Sequence, residues 1–273
     1  MHILIEIQKH YLTFSTKEKE IADFILIHGE TIANMKITDL AKKIGVSEGT
    51  ITRFCKKIGC PSYADFKLHL NAMVPIQAQM NENDPLSYVY DFYREVIERT
   101  NNLMNHDTLN EIVNAIKQAK CIYIFGIGSA GLTAIEFMYR LMRMGFTVQS
   151  ITDSHEMIIK SSVVSDQDLV IALSASGQTS EIVKATKIAS QNKARVICIT
   201  SFKESPLAKV AQSTFIVPNS SLIDKDQFFS QFPFVYLIDL ITTVFMIDEN
   251  LRQTISMTID TIIDHTRIDI PRP

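Results

Sequence analysis

Two short stretches of the chain gather small and hydroxyl-bearing residues in an order suited to holding an anion. The first, Gly126-Ile127-Gly128-Ser129-Ala130-Gly131, lies between an apolar β-branched run and a helical segment. The second, Ser174-Ala175-Ser176-Gly177-Gln178-Thr179, stands in the same relation to residues 169–173 and the helical segment that follows. At such junctions the first amides of the helix have no partner within it and carry partial positive charge, so they can cradle an anion. Ser129, Ser174, Ser176 and Thr179 supply hydroxyls, while Gly128 and Gly177 let the backbone approach closely. Amides plus hydroxyls suit a phosphate monoester, which offers several acceptor oxygens. A glycine loop after a strand also begins dinucleotide sites, and Gly126, Gly128 and Gly131 satisfy that spacing. The end of the next strand reads Gln149-Ser150, however, without the acidic residue that a ribose would need. On composition alone, residues 174–179 read equally as an ordinary capping turn.

A second chemistry is written upstream. Lys36, Lys42, Lys43, Arg53, Lys56 and Lys57 face only Asp39 and Glu48 within residues 36–59, a local surplus hidden by the formal net charge of −3. Residues 1–75 hold ten Lys/Arg against eight Asp/Glu, and the remainder 17 against 22, so the basic surface that could meet phosphates is confined to the N-terminal part. Residues 37–54 have the proportions of helix, tight turn and helix: Leu40, Ala41, Ile44, Val46, Ile51 and Phe54 fall inward, and Gly45 permits the turn. The second helix then presents Ser47, Glu48, Gly49, Thr50, Thr52, Arg53, Lys56 and Lys57 outward, where a major groove would meet them. Ser47 and Thr50 can bond phosphates or base edges, Arg53 can read a guanine edge, and Lys56 and Lys57 add phosphate attraction. A small helical bundle with merely solvated charges fits the same periodicity.

The elements that must position these groups follow from capping signals and periodicity. Ser15 followed by Glu18 opens a helix that ends near Gly29 or shortly after. Further helices are expected over residues 39–44, 48–58 and 63–73. Residues 75–85, polar and bounded by Pro75 and Pro85, read as a linker, giving an N-terminal domain over 1–75, a linker over 76–85 and a second domain over 86–273. A helical region at 86–119 precedes strands at 121–125, 146–150, 168–173, 195–200 and 213–217. Helices are expected between the strands at 131–144, 155–163, 180–192 and 206–211, with a last one over 228–246. Strands alternating with helices make the second domain α/β, a doubly wound, mostly parallel sheet covered on both faces, joined to an all-α first domain.

Composition excludes other classes. With 46% hydrophobic and 21% charged residues the chain is too apolar for disorder. Residues 1–7 carry Glu6 and no basic leader, and the longest apolar stretch, 232–247, is broken by Pro233 and Asp239, so a cytoplasmic protein is expected. Cys55, Cys60, Cys121 and Cys198 form no C-x-x-C pair and have no histidine at zinc-finger spacing, so reduced, partly buried thiols are expected, with no metal.

The run Val46-Ser-Glu-Gly-Thr-Ile-Thr-Arg-Phe-Cys-Lys-Lys-Ile-Gly59, with Tyr63-Ala-Asp-Phe-Lys67 after it, resembles the N-terminal domain of the RpiR/MurR family of bacterial regulators. Gly126-x-Gly-Ser129, Ser174-x-Ser-Gly-x-Thr179 and Thr200-Ser201-x-x-x-Ser205-Pro-Leu-Ala208 resemble the sugar isomerase (SIS) domain of the same family, with its flavodoxin-like sheet, over roughly residues 105–250. The resemblance implies a helix-turn-helix that binds double-stranded DNA as a homodimer or dimer of dimers on a palindromic operator. It also implies a phosphorylated sugar as effector, with no cofactor. Carried over by position, Gly128, Ser129, Ser174, Ser176, Gly177 and Thr179 would hold the phosphate. Asp153-Ser-His155 matches an element near the sugar, making His155 and Glu156 candidate sugar contacts. Where the family has a Ser-Arg pair before the last helix, this chain reads Gln227-Phe-Phe-Ser-Gln231. Helix 232–246 is read either as a dimer interface or as core. The alternative is a sugar-phosphate isomerase with an accessory helical domain, using Glu156 or His155 as base, and a further one a sugar-binding module whose first domain contacts protein.

Overall fold

The computed structural model describes residues 3–33, 35–71, 84–220 and 230–266. Helices α1 (Ile3–His10), α2 (Thr16–Ala33), α3 (Ile37–Ile44), α4 (Glu48–Lys57) and α5 (Tyr63–Asn71) form the first unit. The capping box at the start of α2 is present: the Ser15 amide donates to Glu18 Oε2 at 2.7 Å and the Glu18 amide to Ser15 Oγ at 3.4 Å. The helix runs past Gly29 because Ile32 continues the face that buries Ile21 and Ile25, so tertiary packing overrides the glycine. Helix α1 was not legible, since its eight residues give too little periodicity. It buries Ile3 and Ile7 in the core that Leu40, Ile51, Phe54, Ile58 and Phe66 share.

The expected linker lies outside the described residues except for Asp84 and Pro85, which cap and open α6 (Pro85–Leu103). Then follow α7 (His106–Gln118), β1 (Cys121–Phe125), α8 (Ser129–Arg143), β2 (Val148–Ile151), α9 (Ser154–Ser161), β3 (Asp168–Leu173), α10 (Ser180–Gln191), β4 (Arg195–Thr200), β5 (Ser213–Ile216), α11 (Phe232–Phe245) and α12 (Glu249–Thr266). Among the described residues the strands form one sheet, ordered β2-β1-β3-β4-β5, with every pairing parallel. Ile122, Ile124, Leu169, Ile171, Ile197 and Ile199 face the layer of α7, α8 and α11. Val170, Ala172, Val196 and Cys198 face the layer of α9 and α10. Alternate residues are therefore buried on opposite faces, which is why the strands read as unbroken apolar runs.

Four expectations are corrected. Residues 206–211 form turns instead of a helix: the Leu207 amide is drawn to the Gly177 carbonyl at 3.0 Å, and Ser205 Oγ accepts from the Ala208 amide at 3.2 Å. β2 starts at Val148, because Met144–Phe146 are used to reverse the chain through Gly145. The last expected helix begins at Phe232, residues 228–229 lying outside the described residues. It buries Phe234, Leu237, Ile238, Ile241 and Phe245, so it is core. Beyond it α12, unanticipated, leaves Met257, Ile259 and Ile263 exposed. No helix of the described residues is long and apolar enough to cross a membrane.

All four cysteines are free thiols; Cys55, Cys60 and Cys198 are buried and Cys121 is partly exposed. Burial pushes the Cys55 thiol up to about 12 and the Cys198 thiol up to about 11. The thiolate is the nucleophile, so iodoacetamide at pH 8 should label Cys121 first and the buried three only on unfolding. Mass spectrometry of the alkylated native protein checks this; rapid native labelling of Cys55 would contradict the packing of the helical core.

Candidate functional site

In the first unit, α3 ends at Gly45, whose left-handed φ of 75° turns the chain, and Ser47 caps α4 by accepting from the Thr50 amide at 3.1 Å. Leu40, Ala41, Ile51 and Phe54 are buried and Ile44 and Val46 pack against them, as the spacing requires. Ser47, Glu48, Gly49, Arg53 and Lys56 are exposed, joined on α3 by exposed Lys42 and Lys43. Thr50 and Thr52 are half-buried. Thr50 Oγ1 lies 2.8 Å from Ser47 Oγ and 3.4 Å from Arg53 Nη2, and Thr52 donates back to the Glu48 carbonyl at 3.0 Å. The turn thus fixes the N-terminal half of α4, and Arg53 projects beside it.

Lys57 departs from expectation. Its ammonium donates to the Thr13 carbonyl and to Glu18 Oε2, both at 2.9 Å, and lies 5.2 Å from the centre of the Phe14 ring. This cation is committed to Thr13, just before α2, and to the first turn of α2, because four methylenes reach back across the bundle from the last turn of α4. Burial works to raise the Glu18 pKa, but the Ser15 amide and the Lys57 ammonium outweigh it and hold the carboxyl below its ordinary value.

In the second unit the strand order reverses at β1: the chain moves from β1 to β2 on one side and then to β3 on the other. The C-terminal ends of β1 and β3 therefore lie side by side, in register from Cys121–Asp168 to Phe125–Ala172, and the crevice above such a switch point is where open α/β sheets bind ligands. Both hydroxyl-rich loops issue from it. Gly128 caps α8 with φ 61° and ψ −130°, a conformation essentially reserved for glycine, and puts exposed Ser129 at the first helical position. In the other loop Ser174, only 4% exposed, accepts from the Gly177 amide and pairs with Thr179 Oγ1, each at 3.1 Å. Ser174 therefore shapes the loop, and Ser176, exposed, and Thr179, half-buried, are its accessible hydroxyls.

Helix caps separate this crevice from its neighbour. At α9, Asp153 Oδ1 accepts from the His155 and Glu156 amides, both at 2.9 Å, so a carboxylate already fills that N-terminus. Neither Gly128 nor Thr179 makes a side-chain cap, so the amides of Ser129 and Ala130 in α8 and of Ser180 in α10 stay open to a ligand, while the Glu181 carboxylate takes up its own amide. In the first turn of α10, its own amide and the Ser180 hydroxyl lower the pKa of Glu181, a sign that negative charge is favoured there. His155 is exposed and shares a cleft of about 400 Å³ with Ser154, Ile158, Ile159, Glu181 and Lys184. It is thus brought against the first turns of α10. Glu156, also exposed, accepts from Gln149 at 3.1 Å.

Two features escaped the sequence reading. Of the segment 227–231, Ser230 and Gln231 are described, and Gln231 Oε1 accepts from Thr133, one turn into α8, at 3.1 Å. Thr200 and Ser205, noted only by resemblance, prove to pack behind the loop: a Cβ on Gly177 would stand 2.2 Å from Ser205 Oγ and 2.8 Å from Thr200 Oγ1.

Comparison with known proteins finds a match in each part of the chain. Residues 1–75 match the helix-turn-helix domain of the rpiR family and residues 115–238 the SIS domain. An HTH-type transcriptional regulator of Clostridium perfringens is 30% identical over 259 residues, which cover 89% of this chain and 91% of that protein. The chain belongs to the RpiR family of transcriptional regulators. Another HTH-type regulator, of Haemophilus influenzae, is 29% identical and aligns with 96% of this RpiR-family chain and 97% of its own. Among solved structures, Vibrio vulnificus NanR complexed with ManNAc-6P superposes with a TM-score of 0.62 at 23% identity, covering 97% of this chain and 100% of that one. The sugar isomerase domain of the RpiR transcription factor from Sphaerobacter thermophilus gives 0.58 at 17% identity, over 69% and 99%. These two likenesses show the shared fold.

The tie at the end of α4 has a measurable signature. Because the folded Glu18 pKa lies below the unfolded one, its contribution is present above the unfolded-state pKa and is lost as pH falls through the lowered folded value. Glu18→Gln should therefore lower stability to urea at pH 7, with the deficit fading in acid. Equal deficits at pH 7 and pH 3 would contradict the ionic tie to Lys57.

Proposed function

We propose that this RpiR-family regulator senses a phosphorylated sugar at the β1/β3 crevice and converts its occupancy into a change of affinity for a palindromic operator controlling a sugar-metabolism operon. The observation that carries the reading is the pair of helix N-termini left without side-chain caps, flanked by Ser129, Ser176 and Thr179, beside an α9 whose N-terminus is closed by Asp153. A phosphate dianion placed there gains several charge-assisted hydrogen bonds. Gly128 and Gly177 hold the loops in shape, Ser174 braces the second one, and His155 faces the sugar from the α9–α10 cleft. A relative of the same fold, NanR, was solved with ManNAc-6P, which makes amino-sugar 6-phosphates the first ligands to try.

On the DNA side Ser47, Glu48, Thr50, Thr52, Arg53 and Lys56 form the reading face, with Arg53 directed at a base edge and Lys56, Lys42 and Lys43 at phosphates. Lys57 supports this face from behind. A single helix-turn-helix reads few base pairs, so specificity calls for a homodimer or a dimer of dimers on an inverted repeat. Exposed Met257, Ile259 and Ile263 on α12, with Tyr139 and Met142 on the neighbouring α8, offer apolar surface for such an assembly. The protein binds its sugar without converting it.

Two measurements test the reading. A panel of sugar phosphates and their unphosphorylated parents should contain a phosphorylated member that raises the melting temperature of the wild type, with the rise lost in Gly177→Ala, whose added Cβ collides with Ser205. Stabilisation by an unphosphorylated parent to the same extent would remove the phosphate from the account. Against an operator selected from random duplexes, Arg53→Ala should cost about 1–3 kcal/mol of specific affinity, and Lys56→Ala should reduce the salt slope by about one. Undiminished operator affinity in Arg53→Ala would rule out α4 as the reading helix.

A further inference from the structure

Gln8, on α1, is buried to 2% exposure, and the partners of its side-chain amide lie in the other unit. Its Nε2 donates to the carbonyls of Ser201 at 2.7 Å and Val217 at 2.8 Å, and its Oε1 accepts from the Asn219 amide at 3.2 Å. These are the backbone exits of β4 and β5, the C-terminal edge of the sheet on which the ligand loops stand. Phe202 goes the other way: it leaves the sheet to join the helical core, its ring centre 5.9 Å from that of Tyr11.

The segment that grips Gln8 is also bonded to the phosphate loop. The Ser201 amide donates to the Ala175 carbonyl at 2.9 Å, Thr200 Oγ1 donates to the same oxygen at 3.1 Å, and the Leu207 amide donates to the Gly177 carbonyl at 3.0 Å. Ser201 thus holds the loop by its N–H and Gln8 by its C=O. Beyond α1, the chain reaches α4 within a few residues: Thr13 accepts the Lys57 ammonium, and the Phe14 ring centre lies 5.1 Å from that of Phe54.

We infer that residues 200–207, clasped by Gln8, are the mechanical link through which the occupancy of the 174–179 loop by a phosphorylated sugar repositions α4. The inference rests on the sensor reading above for the identity of the ligand, and on geometry alone for the link. Gln8 is a positioning residue that touches neither sugar nor DNA. A ligand that draws Ala175–Gly177 toward the crevice pulls on Ser201, and the three bonds of the Gln8 amide, sheltered from water, are strained or broken when their partners shift. Such a docking contact has two discrete states, made and broken, as a switch requires.

Coupling of this kind is reciprocal, which allows a test on the full chain without a known effector. Amide hydrogen exchange followed by mass spectrometry is compared in the wild type, Gly177→Ala and Gln8→Met, with Phe202→Leu as a milder break of the same contact should Gln8→Met fail to fold. Gly177→Ala should speed exchange in α1 roughly tenfold, and the variants at the docking contact should speed exchange in residues 175–179 to a similar extent, with α12 unchanged in each. Acceleration confined to the mutated unit in both directions overturns the link. A sugar phosphate that raises the melting temperature must also change α1 exchange in the wild type and leave it unchanged in Gln8→Met. If it stabilises the protein without altering α1, the link fails while the sensor stands. If no sugar phosphate stabilises the protein, the sensor reading fails, and the reciprocal exchange still decides whether the two units are coupled.

Discussion

Every helix that follows a parallel strand begins with backbone N–H groups that the helix itself cannot satisfy, and the fate of those groups organises this molecule. Three such N-termini rise from the C-terminal edge of the sheet after β1, β2 and β3. The middle one in sequence is closed by its own Asp153 carboxylate. The two that the strand order brings side by side are left without side-chain caps and are surrounded by hydroxyls. An anion is the natural complement of that pair; the Glu181 carboxylate meets its own amide in the first turn of α10 and leaves the Ser180 amide to the anion. The same requirement governs the first unit, where Ser47 and the Ser15–Glu18 box close α4 and α2 and so fix the turn that presents Arg53.

The apolar bookkeeping of the sheet gives these loops a stiff base. Both faces of β3 and β4 are covered, so their C-terminal ends cannot shift without disturbing two layers of side chains. In the proposed sensor, movement on ligand binding would therefore fall to what the strands carry beyond their ends: residues 174–179, the turns at 200–207, and α1 docked upon them. The helical unit meets the sheet at this edge, where Phe202 enters its core. A sensor and a reader sharing one edge need only a small displacement to communicate.

Local features were legible in the sequence, and long-range ones were not. Gly45, Ser47 and the buried Leu40, Ala41, Ile51 and Phe54 announce the helix-turn-helix because a turn, a cap and a 3.6-residue period all act within a few residues. The strands were placed to within two residues at their ends by their β-branched runs. The helix expected at 206–211 was overridden by packing against the loop carrying Gly177. The role of Lys57 depended on Thr13 and Glu18, 44 and 39 positions away, and that of Gln8 on carbonyls 193 and 209 positions away, so composition gave no sign of either. Ser174 read as a phosphate ligand because a serine in a glycine loop looks the same from sequence whether its hydroxyl faces a ligand or braces the loop.

The central claim is that the open N-termini of α8 and α10 together hold a phosphate, and amide chemical shifts report this directly. In ¹⁵N-labelled protein titrated with a sugar phosphate, the amides of Ser129, Ala130, Thr179 and Ser180 should move downfield together along one saturation curve, while His155 and Glu156, already bonded to Asp153, keep their hydrogen-bonded shifts. Saturating shifts at the amides of His155 and Glu156 with Ser129 and Thr179 unmoved would place the anion at α9 and contradict the account.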